Sequence, residues 1–272
     1  MTTETFAQIA SSLFFVLALV ALFCLLAAEK FRPYQKYTAA IAKESVLTNT
    51  TAFLFNNIIL SLLRASSLFL VAQDFSGHGL LHDLEEGPVK WIITFLLYDF
   101  AIYAWHFINH HNDFLWRFHK VHHSDKVFNV TTGFRFHFID LLIEIPYKCA
   151  FVMLIGVNAY IILLIETIQL VFILFHHANL EMPHEDKLSQ FIITPSLHRV
   201  HHSARRSEHN SNYAIVLAFW DRLFGTRKEL VPKKIGLNNM IVADNFVQLF
   251  CLAFVTEQHF RKILRMIPRS GK

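Results

Sequence analysis

Apolar residues run along this chain in long uninterrupted blocks, where a half-buried strand would show strict alternation. Ser11 to Ala28 carries no charge and, at about 1.5 Å per residue, is long enough to cross a bilayer core. The preceding MTTET has no positive residue, so a retained span is expected there instead of a cleaved signal peptide. A second run, Thr51 to Ala72, is broken by Asn56, Asn57 and Arg64. A third extends from Trp91 to His106, and Phe138 to Phe175 is too long for one crossing. Gly156-Val157-Asn158 supplies a turn in its middle, which predicts two antiparallel spans.

Charge orients these elements. Lys30, Arg32, Lys36 and Lys43 follow the first run, whereas Gln73 to Val89 holds Asp74, Asp83, Glu85 and Glu86 with no lysine or arginine. The positive-inside rule then puts the first loop in the cytoplasm and the second outside. Carried through five spans, this leaves the His119 region, the ends of the third and fifth spans and the C-terminal tail on the cytoplasmic side. With 54% hydrophobic residues among 272 and a mean hydropathy of +0.37, the chain is too apolar for an ordinary soluble domain. The predicted fold is all-α, a multi-pass membrane helical bundle of four to five spans. Residues 1–95 form an N-terminal membrane region, 96–230 a histidine-rich region and 231–272 a tail.

The net charge of +4 gives no reason to expect a nucleic acid partner. Cys24, Cys149 and Cys251 are far apart and form no C-x-x-C, so they read as small buried hydrophobes. Histidine is the anomaly, with 17 copies. WHFINHH places His106 and His110 one helical turn apart, and H-x-V-H-H-S occurs twice, giving His119, His122, His123 and His198, His201, His202. Neighbours such as His122 and His123 differ by about 100° around a helix, so one triplet cannot aim three nitrogens at a single ion. Two triplets facing each other can straddle two ions. His137 in GFRFHF and His177 in LFHHANL raise the set to ten, or five per metal. Imidazole alone does not name the metal.

His111 and His176 adjoin the boxes as supporting or surface residues, and His78, His82, His184, His209 and His259 read as interior hydrogen-bonding groups. Asp99, Asp125, Asn212 and Asp221 are candidates to bond the distal nitrogens of the ligands. Val242 to Ile267, apolar with a basic end of Arg261, Lys262, Arg265 and Arg269, reads as an interfacial helix or as packing on the cap.

The order HFINH, HKVHH, HRVHH, with the flanks TTGFRFH, FHHANL, TPSLHRVHHS, SNY and WDRLFGT, resembles the fatty acid hydroxylase and sterol desaturase superfamily. The likeness runs from Leu96 to Thr226 and is strongest to bacterial members and the alkylglycerol monooxygenase branch. It implies a helical membrane domain under a cytosolic histidine-rich cap, and an oxidoreductase with two iron ions, replaceable by zinc on purification, that uses dioxygen to hydroxylate or desaturate a lipid C–H bond. The ten histidines are the implied ligands. Phe107, where many relatives have arginine, and His176, where bacterial relatives often have asparagine, depart from the pattern. No G-x-G-x-x-G or C-x-x-C-H occurs, so electrons are expected from a separate small cytochrome or a ferredoxin with its reductase. The expected location is the bacterial inner membrane, or the endoplasmic reticulum if the source is eukaryotic. A divalent-metal transporter or sensor is the rival reading, but it would place its ligands near the bilayer midplane. A bis-histidine haem protein would need far fewer histidines.

Overall fold

The computed structural model describes residues 3–63, 68–237 and 243–255, with side chains from residue 12 on. The described chain is helical, with three isolated bridges and no extended strand: α1 (Thr3–Phe31), α2 (Ala39–Leu62), α3 (Leu68–Phe75), α4 (Pro88–His111), α5 (Asp113–His119), α6 (Phe138–Ile155) and α7 (Ala159–His176). Five short helices follow: α8 (Glu185–Leu188), α9 (Pro195–His201), α10 (Arg206–His209), α11 (Phe219–Leu223) and α12 (Phe246–Leu252).

Four helices are long and apolar enough to cross a membrane: Ser12–Phe31, Ala39–Leu62, Pro88–His111 and Ala159–His176. Two expectations change. The second span starts at Ala39, where the Thr38 hydroxyl caps the helix by accepting from Ile41 N, and it stops at Leu62 instead of running on to Ala72. The apolar residues after it belong to α3, which lies against both α6 and α7. α6 ends at the expected turn, but Asp140, Glu144 and Lys148 on one face keep it out of the four apolar spans, so the expected fourth span is not among them. These residues face a cavity inside the bundle.

The turn between α6 and α7 is built as its sequence suggests. Gly156 ends α6 in the left-handed conformation at φ 70°, and Asn158 caps α7 by accepting from Tyr160 N at 2.8 Å. A Cβ at Gly156 would fall 1.4 Å from the carbonyl oxygen of His78, whose loop is bonded to the turn through Leu80 N to Leu154 O and Leu81 N to Ile155 O. The loop after α3 therefore closes this end of the bundle.

All catalytic candidates lie at the other end. The C-termini of α4 and α7 and the N-terminus of α6 meet there, and α1 joins them because the Glu29 carboxylate accepts from Val130 N and Asn179 N. α2 is tied to the same end through a buried network. Asp125 accepts from Ser45, Asn49 and Thr132, while Arg135 donates to Ser124 Oγ at 3.0 Å, Asn49 Oδ1 at 2.9 Å and Ala243 O at 2.8 Å. Arg135 is 1% exposed, and burying a guanidinium is tolerable only with such partners. This network clamps the segment carrying His122 and His123. In the tail, α12 packs on α2 and Phe250 lies against His137, so its described part covers the cap. Arg261, Lys262, Arg265 and Arg269 lie outside the described residues.

Candidate metal centre

Nine histidines converge in two adjoining buried clusters. His106, His110, His119, His123 and His201 form one, and His122, His177, His198 and His202 the other; within each, the ligand nitrogens lie within 4.8 Å of one another. The two triplets divide between them. HKVHH sends His119 and His123 to the first cluster and His122 to the second, while HRVHH sends His201 to the first and His198 and His202 to the second. The clusters touch through the stacked rings of His123 and His202, whose centroids are 4.5 Å apart.

The local geometry is less regular than a helical reading of HKVHH. α5 ends at His119 with Lys120 as its C-cap, and His122–Ser124 is a separate 3₁₀ turn. The break turns His122 away from His119 and toward His177. HRVHH by contrast stays on α9 to His201, with His202 as its C-cap.

Outer hydrogen bonds fix five of the nine rings. Nδ1–H donates to Tyr213 O from His106, to Ser211 O from His201 and to Ile173 O from His177, each at 2.7 Å. His119 donates to Asp140 Oδ2 at 3.1 Å, and His110 approaches Asn210 Oδ1 at 3.4 Å. Each such bond places the proton on Nδ1 and turns the Nε2 lone pair inward. The Nε2 atoms of His106, His110, His119, His123 and His201 are buried without a partner. In the second cluster, His177 Nε2 stands 3.1, 3.2 and 3.0 Å from the Nε2 atoms of His122, His202 and His198. Nitrogens bound at about 2.1 Å to one metal sit roughly 3 to 3.4 Å apart at octahedral or tetrahedral angles. Four lone-pair atoms at that spacing fit a cation far better than each other. Burial, and then the repulsion of neighbouring histidines, holds His122, His123, His198, His201 and His202 well below the usual imidazole pKa. They are kept neutral, the form that binds metal.

His137 is a correction. It stands outside both clusters, its Nδ1 accepting from Ile139 N at 3.2 Å as the N-cap of α6 and its ring packed against Phe118, Phe138, Phe250 and Phe254. The clusters therefore number five and four, not five and five. None of the four expected outer partners bonds a clustered histidine. Asp99 accepts from Gln169, Leu217 N and Trp220, and Asp125 serves the Arg135 network. Asn212 ties Leu197 to Lys228, and Asp221 accepts from Tyr213 N and Ala214 N, which positions the Tyr213 carbonyl for His106. Asp140 and Asn210 take the direct role instead. Asp140 follows His137 by three residues and begins the polar face of α6, a signal that was visible in the sequence; the carbonyl partners had none.

Among the remaining histidines, His176 is buried against His198, with centroids 3.8 Å apart, and bonds Ile215 O. His209 is interior as expected, bonded to Ser203 O and stacked on Trp116. His78, His82 and His184 are exposed instead of interior, His111 is exposed with its ring stacked on Phe107, and His259 lies outside the described residues.

A cavity of about 170 Å³ adjoins both clusters. His106 and His119 of the first and His122, His177 and His198 of the second open onto it. Its apolar wall comes from Ile102, Trp105, Phe136, Leu141, Ile173 and Ile215, and its polar side from Asn109, Asp140, Glu144 and Lys148.

The sequence profile of the fatty acid hydroxylase family matches residues 91–226, half of the chain and the part that carries every clustered histidine. The chain belongs to the fatty acid hydroxylase family. This member is 36% identical over 146 residues to an ornithine lipid hydroxylase of Rhizobium tropici, covering 51% of this chain and 44% of that one. It is 32% identical over 149 residues to an alkylglycerol monooxygenase of Xenopus tropicalis, covering 55% and 32%, and 28% identical over 149 residues to a cholesterol 25-hydroxylase of Rattus norvegicus, covering 50% and 45%. The chain thus spans less than half the length of each of these relatives. No solved structure matches it.

Proposed function

We propose that this chain is a membrane di-iron oxygenase that hydroxylates a C–H bond of a lipid with dioxygen and electrons supplied from outside. The observation that carries the reading is the division of each H-x-V-H-H triplet between two adjoining clusters of neutral, inward-facing imidazoles. One ion needs only one cluster, and a haem needs only one pair. Two iron ions bound there would supply dioxygen activation, which protein side chains alone cannot perform. The balance of the reaction is one lipid C–H bond, dioxygen, two electrons and two protons giving an alcohol and water. Desaturation would use the same oxidising equivalents.

The residues of the chain contribute binding and orientation. His106, His110, His119, His123 and His201 would hold one ion, and His122, His177, His198 and His202 the other. Asp140 and the carbonyls of Tyr213, Ser211 and Ile173 keep the rings in the ligating tautomer. The apolar wall accepts a lipid chain and excludes water from the reacting carbon. The positively charged first loop favours a cytoplasmic site, where a small cytochrome or ferredoxin could dock. Relatives named for ornithine lipid, alkylglycerol and cholesterol support a lipid substrate.

Metal analysis of the detergent-purified protein tests this reading. About two ions per chain are expected, with close to one lost in His122→Ala and the other in His201→Ala, since these residues belong to different clusters. A total unchanged by both substitutions would sink the dinuclear site. Vesicle uptake of labelled metal would instead favour a transporter.

A further inference from the structure

The polar groups on the cavity wall are not equivalent. Lys148 is already committed, its ammonium 3.0 Å from Glu144 Oε1 on its own helix and 3.1 Å from Glu166 Oε1 across the gap to α7. Glu166 also accepts from the Tyr98 hydroxyl. Asp140 is engaged with His119, and the Nδ1–H groups of His106 and His177 are spent on backbone carbonyls. Of the other histidines on the wall, His122 and His198 turn Nε2 into the second cluster and His176 bonds Ile215 O. Among the described lining residues no cation is therefore free to receive a carboxylate or phosphate.

Asn109 is different. It is 2% exposed, stands on α4 between His106 and His110, lines the cavity, and its Oδ1 has no hydrogen-bond partner. A buried carboxamide oxygen left unpaired is costly, and native interiors rarely tolerate one without a ligand or water to fill it. The side chain lies within one helical turn of two clustered histidines, so whatever it binds is held next to the reacting centre.

We propose that Asn109 binds the polar group of the lipid, and that this group is a hydrogen-bond donor, a hydroxyl or an amine, carried close to the carbon that is oxidised. This rests on the oxygenase reading of the same site. An anionic head would find no free cationic side chain there, whereas a donor satisfies Asn109 and leaves the apolar wall for the attached chain. A site built around such a bond rejects an analogue that lacks the donor.

The test uses the metal-loaded protein in detergent without reductant, so that no turnover occurs, and competes labelled dodecan-1-ol against four probes: unlabelled dodecan-1-ol, dodecylamine, dodecyl methyl ether and dodecanoate. The alcohol or the amine should bind at least about tenfold more tightly than the ether, and dodecanoate more weakly than either. Which of the two donors is preferred distinguishes a hydroxylated from an amino lipid. Asn109→Leu should abolish the preference for alcohol over ether with metal content unchanged, a selective loss that a general packing defect would not produce. Should that variant fail to fold, Asn109→Ser and the wild-type ratios still decide. Equal binding of alcohol and ether, tighter binding of dodecanoate, or an undiminished preference in the leucine variant would overturn the proposal. Metal content measured on the same samples reports separately on the oxygenase reading.

Discussion

Asp140 Oδ2 accepts the Nδ1 proton of His119 at 3.1 Å, and this contact links the first turn of α6 to the five-histidine cluster. It fixes both the tautomer and the tilt of the ring, and it adds negative charge behind a ligand that would face a cation. Asp140→Ala is expected to weaken metal binding about 10- to 100-fold. Asp140→Asn should lose less, because its amide oxygen can still accept. Competition against a metal chelator measures both, and equal affinity in wild type and the alanine variant would remove this role.

Asp125 and Arg135 tie the segment carrying His122 and His123 to α2, although neither touches a histidine nitrogen. Arg135→Met leaves Asn49, Ser124 and the Ala243 carbonyl without their donor and Asp125 without its nearby positive charge. Loss of one member of such a buried network costs about 3–5 kcal/mol. A lower thermal midpoint in detergent is expected, with no recovery in Arg135→Lys, since an ammonium cannot span three acceptors set in a planar fork. An unchanged midpoint for the methionine variant would contradict the account.

Gly156→Ala should be among the most damaging single changes outside the metal centre. Its φ of 70° disfavours any Cβ, and the added carbon would lie 1.4 Å from His78 O. The loop after α3 would have to leave the α6–α7 turn, at a cost above about 4 kcal/mol. Recovery of folded protein by size-exclusion chromatography checks this; normal yield and stability would mean that the loop packs elsewhere.

Acid should destabilise the metal-free protein in a defined window. The usual histidine pKa of 6.5 applies to the unfolded chain, whereas burial lowers His137 to about 4 and holds His122, His123, His198, His201 and His202 well below the usual value. The unfolded state therefore binds more protons below pH 6.5, and stability falls as pH drops through that value toward 4. Above about pH 7 these groups contribute no slope. Denaturant unfolding at several pH values measures it, and a flat profile from pH 7 to 4.5 would rule it out. Bound metal should steepen the loss, because protons compete for the same nitrogens.

His122→Ala and His137→Ala separate ligation from capping. The first should lower metal content, and the second should leave it intact while costing about 1 kcal/mol through the lost helix cap. Equal metal loss in both would restore His137 to the ligand set.

The linear chain by itself determined the first, third and last membrane spans, the turn at Gly156, the gathering of the histidine boxes at one end and the division of the two triplets between two clusters. Each depends on spacing along one helix or on the transfer of apolar residues out of water, and both are local properties. Membership of the fatty acid hydroxylase family was legible for the same reason, because its boxes are contiguous stretches. The tertiary structure decided the rest. It gave nine clustered histidines instead of ten, since His137 caps α6 and packs among phenylalanines brought from the tail and from α5. It assigned Asp140 and three backbone carbonyls as ring partners in place of Asp99, Asp125, Asn212 and Asp221. It put an unpaired Asn109 on a cavity wall where Lys148 is already neutralised. These outcomes hinge on which groups from distant segments come within about 3 Å of one another, and hydrogen bonds are decided at that distance. Residue order carries no record of it until the chain has packed.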